Sequence, residues 1–304
     1  MMTRTYFLNI CIVLLSMVVF PSCESEDVCY DNYTNNDNYD SIRSIDTIMM
    51  LADTPFGGSR QGCAYYDGIL LVFHDTNDIV EIYDVDEKKL MSIVDMADGG
   101  FRHNQYHCNN ANFGNKKYDK DDQFPLLYVS MEHFNQHKIL VFRITGNLGY
   151  FDFDLVQTIV LPIPSQISQY YPNCYIDAEK NSMWISGYTN NNYQAFVGNR
   201  LKYIRYNLPD IKKGKMVELK TTDIQNVIEF NSITATQGGS FYKGQLYQVF
   251  GNTSPYYLVV FNLESPYNKQ ICKLNISSDE PEGLFIKDDI VYLTTLKSLM
   301  KINF

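Results

Sequence analysis

A phrase that occurs twice in the chain constrains its fold more than any other feature. Residues 60–73 read RQGCAYYDGILLVF and residues 236–249 read TQGGSFYKGQLYQV, 176 positions apart. Each copy has a Gln-Gly step, an aromatic pair, a polar residue followed by Gly, and then an apolar run. A polar residue followed by Gly between two apolar stretches is typical of a β-hairpin turn. The chain therefore repeats a hairpin unit.

Looser copies of the phrase divide the chain into five units, each marked by a polar residue at the start of a predicted strand. The markers are Gln61, Asn109, Asn173, Gln237 and Glu282. Successive markers are 48, 64, 64 and 45 residues apart. Recurrence at this spacing, with about four strands in each unit, is typical of propeller blades. The sequence predicts an all-β propeller with five blades, and six blades are the alternative if residues 172–235 contain an additional hairpin.

The two ends of the body predict how the ring closes. After Glu282 only three strands fit, within GLFIKD, DIVYLTT and SLMKINF, so the last blade lacks its outer strand. An unassigned strand lies before the first unit, at residues 41–50. Pairing this strand with the last blade removes two exposed strand edges. We therefore predict that the N-terminal strand completes the last blade of a single domain, residues 42–304.

The N-terminus predicts export from the cytoplasm. Arg4 precedes an apolar run from Tyr6 to Phe20, and PSCESED follows. A short basic start, an apolar segment and a small residue before the cleavage point are typical of a secretory signal. The run is shorter than the roughly 20 residues of a membrane span. Residues 1–22 are predicted as a signal peptide, and an uncleaved anchor is the alternative.

The Ser22-Cys23 step resembles the end of a bacterial lipoprotein signal, although Phe20 and Pro21 replace the usual Leu and small residue. The resemblance implies that Cys23 carries a lipid, which anchors the protein in the outer membrane of the cell envelope and is its only membrane contact. Residues 23–41 contain six acids and almost no aliphatic residues, too few to fold, and are predicted as a disordered tether. Acids after the cysteine also resemble a surface-export signal of some Gram-negative lipoproteins. A spacer facing the periplasm is the alternative.

Charge and cysteine spacing exclude several classes of protein. The chain has a net charge of −10, of which the body after residue 42 carries −5. A mildly acidic body offers no electrostatic footprint to nucleic acid and no polybasic patch to anionic lipid. Five cysteines remain outside the signal and the lipid site, at wide spacing. We predict that most of them are buried apolar residues rather than a disulfide framework.

The inner strands of a propeller line one channel, so the markers are predicted to form a polar ring around its axis. We predict a ligand-binding site there, with Arg102 also near the rim. The predicted site residues are Arg60, Gln61, His107, Asn109, Tyr171, Asn173, Gln237 and Glu282. Such a ring suits a hydroxylated ligand such as a glycan, or an oxygen-ligated cation. The alternative is a wet channel whose polar groups bind only water and neighbouring blades.

The body resembles the propeller bodies of secreted bacterial lipoproteins and, more distantly, the calcium-dependent lactonase and NHL-like propellers. The Glu282-Gly283 pair carries the second resemblance, which implies that Glu282, Asn109 and Asn173 are calcium ligands. An obvious axial Asp is missing, and so are a G-x-S-x-G elbow, a phosphate loop and a pair of axial carboxylates. We predict a binding or scaffold role without catalytic residues or a cofactor, for a glycan, another small polar ligand or an envelope protein. A calcium-assisted hydrolase or lactonase acting in the channel is the alternative.

Overall fold

The structure is a computed structural model. It describes residues 42–53, 58–75, 78–96, 107–132, 138–147, 149–162, 173–188, 200–265, 269–276 and 279–304. The predicted signal peptide, Cys23, the predicted tether, Arg102 and Tyr171 lie outside these residues. Within the described ranges no helix is long and apolar enough to span a membrane.

Five sheets form the five blades of a β-propeller, which confirms the predicted fold. The first blade contains β2 (Arg60–Tyr66), β3 (Ile69–His74), β4 (Ile79–Asp84) and β5 (Lys89–Asp95). The second contains β6 (His107–Phe113), β7 (Leu127–Glu132), β8 (Lys138–Asn147) and β9 (Tyr150–Val160). The third contains β10 (Asn173–Asp177), β11 (Ser182–Tyr188), β12 (Arg200–Asn207) and β14 (Ile224–Asn231). The fourth contains β15 (Thr236–Tyr242), β16 (Gln245–Phe250), β17 (Tyr256–Phe261) and β18 (Lys269–Leu274). The closing blade contains β19 (Pro281–Lys287), β20 (Ile290–Thr295), β21 (Ser298–Asn303) and β1 (Ser44–Met50).

The polar-Gly step of the repeated phrase is the tight turn between the first two strands of a blade. Asp67 and Gly68 join β2 to β3 with φ angles of 47° and 87°. Lys243 and Gly244 join β15 to β16 with φ angles of 48° and 74°. Positive φ at both central residues defines the type I′ turn, whose twist matches that of the paired strands and which favours Gly.

The apolar core lies in five layers, one between each pair of neighbouring blades. Phe73 and Phe142 pack between the first and second blades. Trp184 and Tyr203 pack against strands of the fourth blade. Strands covered on both faces read as continuous apolar runs rather than as alternating patterns. This is why ILLVFH and YLVVFN stand out in the sequence.

The N-terminal strand completes the closing blade, as predicted. β1 pairs antiparallel with β21, from Ser44 opposite Asn303 to Met50 opposite Ser298. Asn303 Nδ2 donates a hydrogen bond to Ser44 Oγ at 2.8 Å, and Met49 is buried. The pairing joins the two ends of the domain and covers an edge of β21 that would otherwise be open.

The long third unit does not contain a sixth blade. Its additional segment forms the short strand β13 (Met216–Glu218), which pairs in parallel with Thr158 to Val160 of β9. β14 then returns to the third blade and pairs with β12 as its outer strand. The insertion extends the second blade to five strands and connects two adjacent blades.

The cysteines that the structure describes are all free thiols, at Cys63, Cys108, Cys174 and Cys272. The first three are buried on the inner strands β2, β6 and β10, and Cys272 is half-buried. Burial raises the pKa of the Cys63 thiol to about 12. Three of the four described cysteines are therefore small core residues, in line with the prediction that most of them are buried.

We expect the closing strand to contribute strongly to stability. A chain that begins at Ala52 lacks Met49 and Leu51, and full burial of such a side chain contributes about 1.5–3 kcal/mol. Its Tm should be lower by about 5 °C or more than that of a chain beginning at Ile42. Circular dichroism during heating measures the Tm of both chains. The shorter chain should also aggregate through the open edge of β21. Equal Tm values for the two chains would contradict this role of β1.

Candidate functional site

The five inner strands β2, β6, β10, β15 and β19 begin at one end of the propeller axis, and the five markers lie at that end. We call this end the polar mouth, defined by Gln61, Asn109, Asn173, Gln237 and Glu282, none of which is more than 9% exposed. Four markers occupy β-bulges, where the inner strand shifts register against its partner. Asn173 pairs in register with Ser186. Bulges redirect side chains and are frequent beside functional sites.

The glycine after the marker lets neighbouring inner strands touch. A Cβ atom on Gly62 would lie 2.7 Å from the Cα atom of Asn110 on β6. A Cβ atom on Gly238 would lie 2.7 Å from the carbonyl oxygen of Glu282 on β19. Side chains do not tolerate such distances, so only glycine fits. The Gln-Gly step of the repeated phrase therefore records a bulge beside a close contact between strands.

Two amide side chains close the axis next to the polar mouth. Asn110 Nδ2 donates to the carbonyl oxygens of Cys174 (2.7 Å) and Gly239 (3.1 Å). Asn110 Oδ1 accepts from the amide of Gly239 at 3.1 Å. Asn112 Nδ2 donates to the carbonyl oxygen of Gly239 at 3.0 Å. β10 is the inner strand between β6 and β15 in the ring. The hydrogen bonds to Gly239 therefore connect inner strands of blades that are not adjacent. The sequence prediction selected Asn109 and missed both of these residues.

Asn173 connects the third and fourth blades at the polar mouth. Its Nδ2 donates to the carbonyl oxygen of Gln237 at 3.3 Å. The hydroxyl of Tyr175 approaches the same oxygen at 3.5 Å and accepts from Gln248 Nε2 at 2.6 Å. Asn173 is completely buried, and its Oδ1 has no hydrogen-bond partner among the described residues. The amide is thus held in place with its acceptor unused.

Glu282 is the only carboxylate among the markers, and it is buried. The residue is 2% exposed, and within the described ranges its Oε2 accepts no hydrogen bond. Burial, and then the negative charges of Glu280, Asp75 and Asp279, raise the pKa of Glu282 well above its usual range. Burial also raises the pKa of Glu280, whose Oε1 accepts from Gln237 Nε2 at 2.9 Å. Acidic oxygens are therefore concentrated at this end of the axis.

Further buried oxygens near the polar mouth also lack a hydrogen-bond partner in the part of the chain that the structure describes, namely Thr236 Oγ1 and Asp279 Oδ1. A buried polar atom left without a hydrogen bond costs about 1–3 kcal/mol. Several such atoms in one place indicate a bound water, ion or ligand. Carbonyl and carboxylate oxygens accept hydrogen bonds from hydroxyl or ammonium groups and coordinate hard cations. The described ranges contain no group of three His, Cys, Asp or Glu side chains arranged to hold a metal ion.

Arg60, predicted at the rim, makes its contacts inside the protein. Its Nε and Nη2 donate to the two carboxylate oxygens of Glu81 at 2.8 and 2.9 Å. Its Nη1 donates to the carbonyl oxygen of Leu296 at 2.8 Å, and Nη2 also contacts that of Ala52. Arg60 therefore connects the first blade to two segments of the closing blade. Its predicted role in ligand binding stays a prediction.

Glu81 is a buried carboxylate whose hydrogen bonds are satisfied. It accepts from His74 Nε2 at 2.9 Å and from the Tyr83 hydroxyl at 2.6 Å, besides the two bonds from Arg60. Burial alone would raise the pKa of Glu81, but the hydrogen bonds from His74, Arg60 and Tyr83 lower it to about 2. Glu81 and Glu282 are thus two buried glutamates with opposite pKa shifts.

Two predicted site residues are only partly described or not described. His107 begins β6 opposite Glu132, at the same end of the axis as the markers, and only its backbone is described. Tyr171 lies outside the described residues, so its position at the rim stays a prediction.

The fold and the site together define a class, a five-bladed β-propeller with a polar axial mouth. No protein-family model and no curated protein matches the chain. Among solved structures it is similar to a nidogen/laminin complex, with 10% identity over 75% of this chain and 70% of that chain and a TM-score of 0.41. Glutaminyl cyclase from Myxococcus xanthus matches with 8% identity over 84% and 97%, at a TM-score of 0.43. Virginiamycin B lyase from Staphylococcus aureus matches with 10% identity over 86% of this chain and 99% of that chain, at a TM-score of 0.41. Similarities at this level assign neither a family nor an activity.

We expect the buried carboxyl group of Glu282 to make the fold less stable at neutral pH than at acidic pH. Its pKa in the folded state is raised above the ordinary value of 4.5, so the folded state loses stability relative to the unfolded state as pH rises above 4.5. Glu282→Gln removes this penalty and keeps the size of the side chain. The Tm of the variant should exceed that of the wild type by about 2–4 °C at pH 7. The difference in Tm should vanish at pH 4. Thermal unfolding of both proteins at the two pH values measures it.

Glu81→Gln is the matched control with the opposite sign. The pKa of Glu81 is lowered to about 2, so its stabilising contribution is present above 4.5 and is lost as pH falls toward 2. The substitution should cost about 3 kcal/mol or more at pH 7, because it leaves Arg60 without its buried partner. If Glu282→Gln also destabilised the protein at pH 7, the raised pKa of Glu282 would be wrong.

Proposed function

We propose that the protein is an envelope-anchored binding protein whose ligand occupies the polar mouth. The observation that carries this proposal is the group of buried oxygens without a hydrogen-bond partner in the described residues, on Glu282, Asn173 and Asp279. A ligand with several hydrogen-bond donors would satisfy these atoms and remove the cost of leaving them unbonded. The strand bulges favour the same position, because they bring the marker side chains of different blades to one axis.

A glycan, or another small molecule with several hydroxyl groups, is the ligand class that we propose. Hydroxyl groups both donate and accept hydrogen bonds, and so do the amide groups of Gln61, Asn173 and Gln237. The Gln237 amide is held by Glu280 at 2.9 Å and by the carbonyl oxygen of Gly251 at 3.4 Å. Amides fixed in this way discriminate between hydroxyl patterns, as polar groups do in other concave sites.

A calcium-assisted hydrolase or lactonase is the second candidate. It is favoured by the acids that the structure brings near Glu282, since Asp75 and Asp279 both act on its pKa although the sequence suggested no axial Asp. Glu282, Asn109 and Asn173 offer the oxygen atoms that calcium prefers, and they would hold the ion. A bound calcium ion would supply Lewis acidity toward an ester carbonyl.

One thermal-shift screen tests both candidates. The full chain is heated with a panel of mono- and oligosaccharides, and separately with CaCl₂ or a chelator. A ligand present at 100 times its Kd should stabilise the protein by about 2.7 kcal/mol. We expect a saccharide to raise the Tm without calcium, and Asn173→Ala and Gln237→Ala to abolish the shift. Gln225→Ala, which removes an exposed amide on β14, should retain it.

Two results of this screen would contradict the binding proposal. If the saccharide shift persists in Asn173→Ala and Gln237→Ala, the ligand does not occupy the polar mouth. If only calcium raises the Tm, and Glu282→Gln removes that shift, the hydrolase becomes the better assignment.

We further propose that Cys23 anchors the protein in the outer membrane, where a glycan or an envelope protein is its partner. The apolar segment before Cys23 and the acids after it support this proposal. In a Gram-negative host the full chain should incorporate a fatty-acid analogue and fractionate with the outer membrane. Cys23→Ala should lose the label, and the matched variant Cys29→Ala should keep it. Labelling of Cys23→Ala would contradict the anchor.

A further inference from the structure

The inner strands end around a cavity at the opposite end of the axis from the polar mouth. Its volume is about 200 Å³, and all five inner strands contribute to its wall. We call it the aromatic bowl, defined by Tyr65, Tyr66, Phe113, Phe241 and Phe285. The aromatic pair of the repeated phrase lies at this level, as Tyr65-Tyr66 in one copy and Phe241-Tyr242 in the other. The phrase thus encodes both ends of the axis.

The aromatic bowl is chemically separate from the polar mouth. Asn112 lines the bowl, and both ends of its amide are already hydrogen-bonded inside the protein. Its Nδ2 donates to Gly239 at 3.0 Å, and its Oδ1 accepts from the amide of Ile176 at 3.2 Å. The amides of Asn110 and Asn112 therefore separate an end rich in unbonded acceptors from an end lined by rings.

The wall of the aromatic bowl carries no charge. None of the fourteen lining residues is Asp, Glu, Lys, Arg or His. Two ion pairs involve residues at the ends of inner strands. Lys243 pairs with Asp289 in the turns after β15 and β19, and Lys287 at the end of β19 pairs with Asp86 in the turn after β4. Moving a charged group into an uncharged lining without a partner is unfavourable. The bowl therefore selects an uncharged ligand.

The rings that line the bowl also pack in the layers between neighbouring blades. Tyr66 and Phe113 have their centroids 5.4 Å apart with a 48° angle between the ring planes. Tyr65 stacks on Phe285 at 4.5 Å. Tyr66, Phe113 and Phe241 are only partly buried. Aromatic pairs favour centroid separations of 4.5–7 Å in tilted or offset geometry. The surface that Tyr66, Phe113 and Phe241 leave unburied offers a ligand ring partners on three strands.

We propose that the aromatic bowl is a binding site for one uncharged aromatic ring that carries a single small polar substituent. The bowl, at about 200 Å³, is larger than the cavity of about 150 Å³ that binds benzene. Its lining combines rings with polar groups such as Ser240, which suits a ring that carries a hydroxyl group. The hydroxyl of Ser240, which lines the bowl, can hydrogen-bond the substituent. A free phenol and the side chain of a tyrosine share this chemistry.

The test uses the full chain with p-cresol as the probe, in ligand-detected NMR and isothermal titration calorimetry. We expect saturable binding with a Kd of about 10 mM or tighter, given the eight non-hydrogen atoms of the probe. N-acetyltyrosinamide is titrated in parallel. If it binds as well as p-cresol, the source of the ring is a tyrosine of a partner, and if it does not bind, the source is a free phenol.

Phe241→Ala should weaken p-cresol binding at least about tenfold, because it removes one wall of the bowl. Ala178→Phe tests the site independently, since it fills the bowl from the turn after β10 and should abolish binding without lowering the Tm. Tyr150→Ala removes an aromatic ring that is 74% exposed outside the bowl, and it should bind normally.

Three results would overturn the proposal. The first is no saturable binding of p-cresol at concentrations up to about five times the expected upper Kd of 10 mM. The second is unchanged binding to Ala178→Phe. The third is binding of methyl glucoside that p-cresol displaces and that Ala178→Phe abolishes, because the bowl would then be a saccharide site.

Discussion

The hydrogen bonds of Asn110 across the propeller axis are the contact on which the rest of the site depends. Each inner strand has one edge without a neighbouring strand of its own sheet, and such an edge exposes amide and carbonyl groups. The Nδ2 of Asn110 donates to carbonyl oxygens of β10 and β15, and its Oδ1 accepts from a backbone amide of β15. Buried amides need such partners, since an unbonded group is costly. Because the axis is closed at this level, its two ends are chemically separate. Buried oxygens without hydrogen bonds lie at one end, and an uncharged cavity lies at the other.

Much of the architecture could be predicted because the repeated phrase encodes local geometry. Gln-Gly marks a bulge, Asp-Gly marks a type I′ turn, and the strand before the first unit closes the ring. Asn110 was missed because its role depends on Gly239, which is 129 residues away in the chain. The three asparagines in HCNNANF were the available signal, since they are unusual in a buried strand. The partner of Arg60 was missed for a related reason, because pairing with Glu81 requires the register of β2, β3 and β4.

Two glutamates show how position decides the cost of a buried charge. Glu81 receives hydrogen bonds from three side chains and contributes to the junction between the first and closing blades. Glu282 lies among other acids, and its burial is uncompensated by any hydrogen bond to Oε2 in the described residues. Proteins retain such unfavourable groups mainly where they serve a function. The contrast supports the polar mouth as a functional site.

The pairing of β1 with β21 has a consequence for how the chain folds. Ser44 lies opposite Asn303, so β1 has no partner strand until β21 has been synthesised, more than 200 residues later. Contacts between such distant residues form slowly, because a long loop must close first. Blades one to four consist of strands that are close in sequence and can form as synthesis proceeds. The topology therefore sets the order of folding. The pairing of β1 with β21, which closes the ring, forms last.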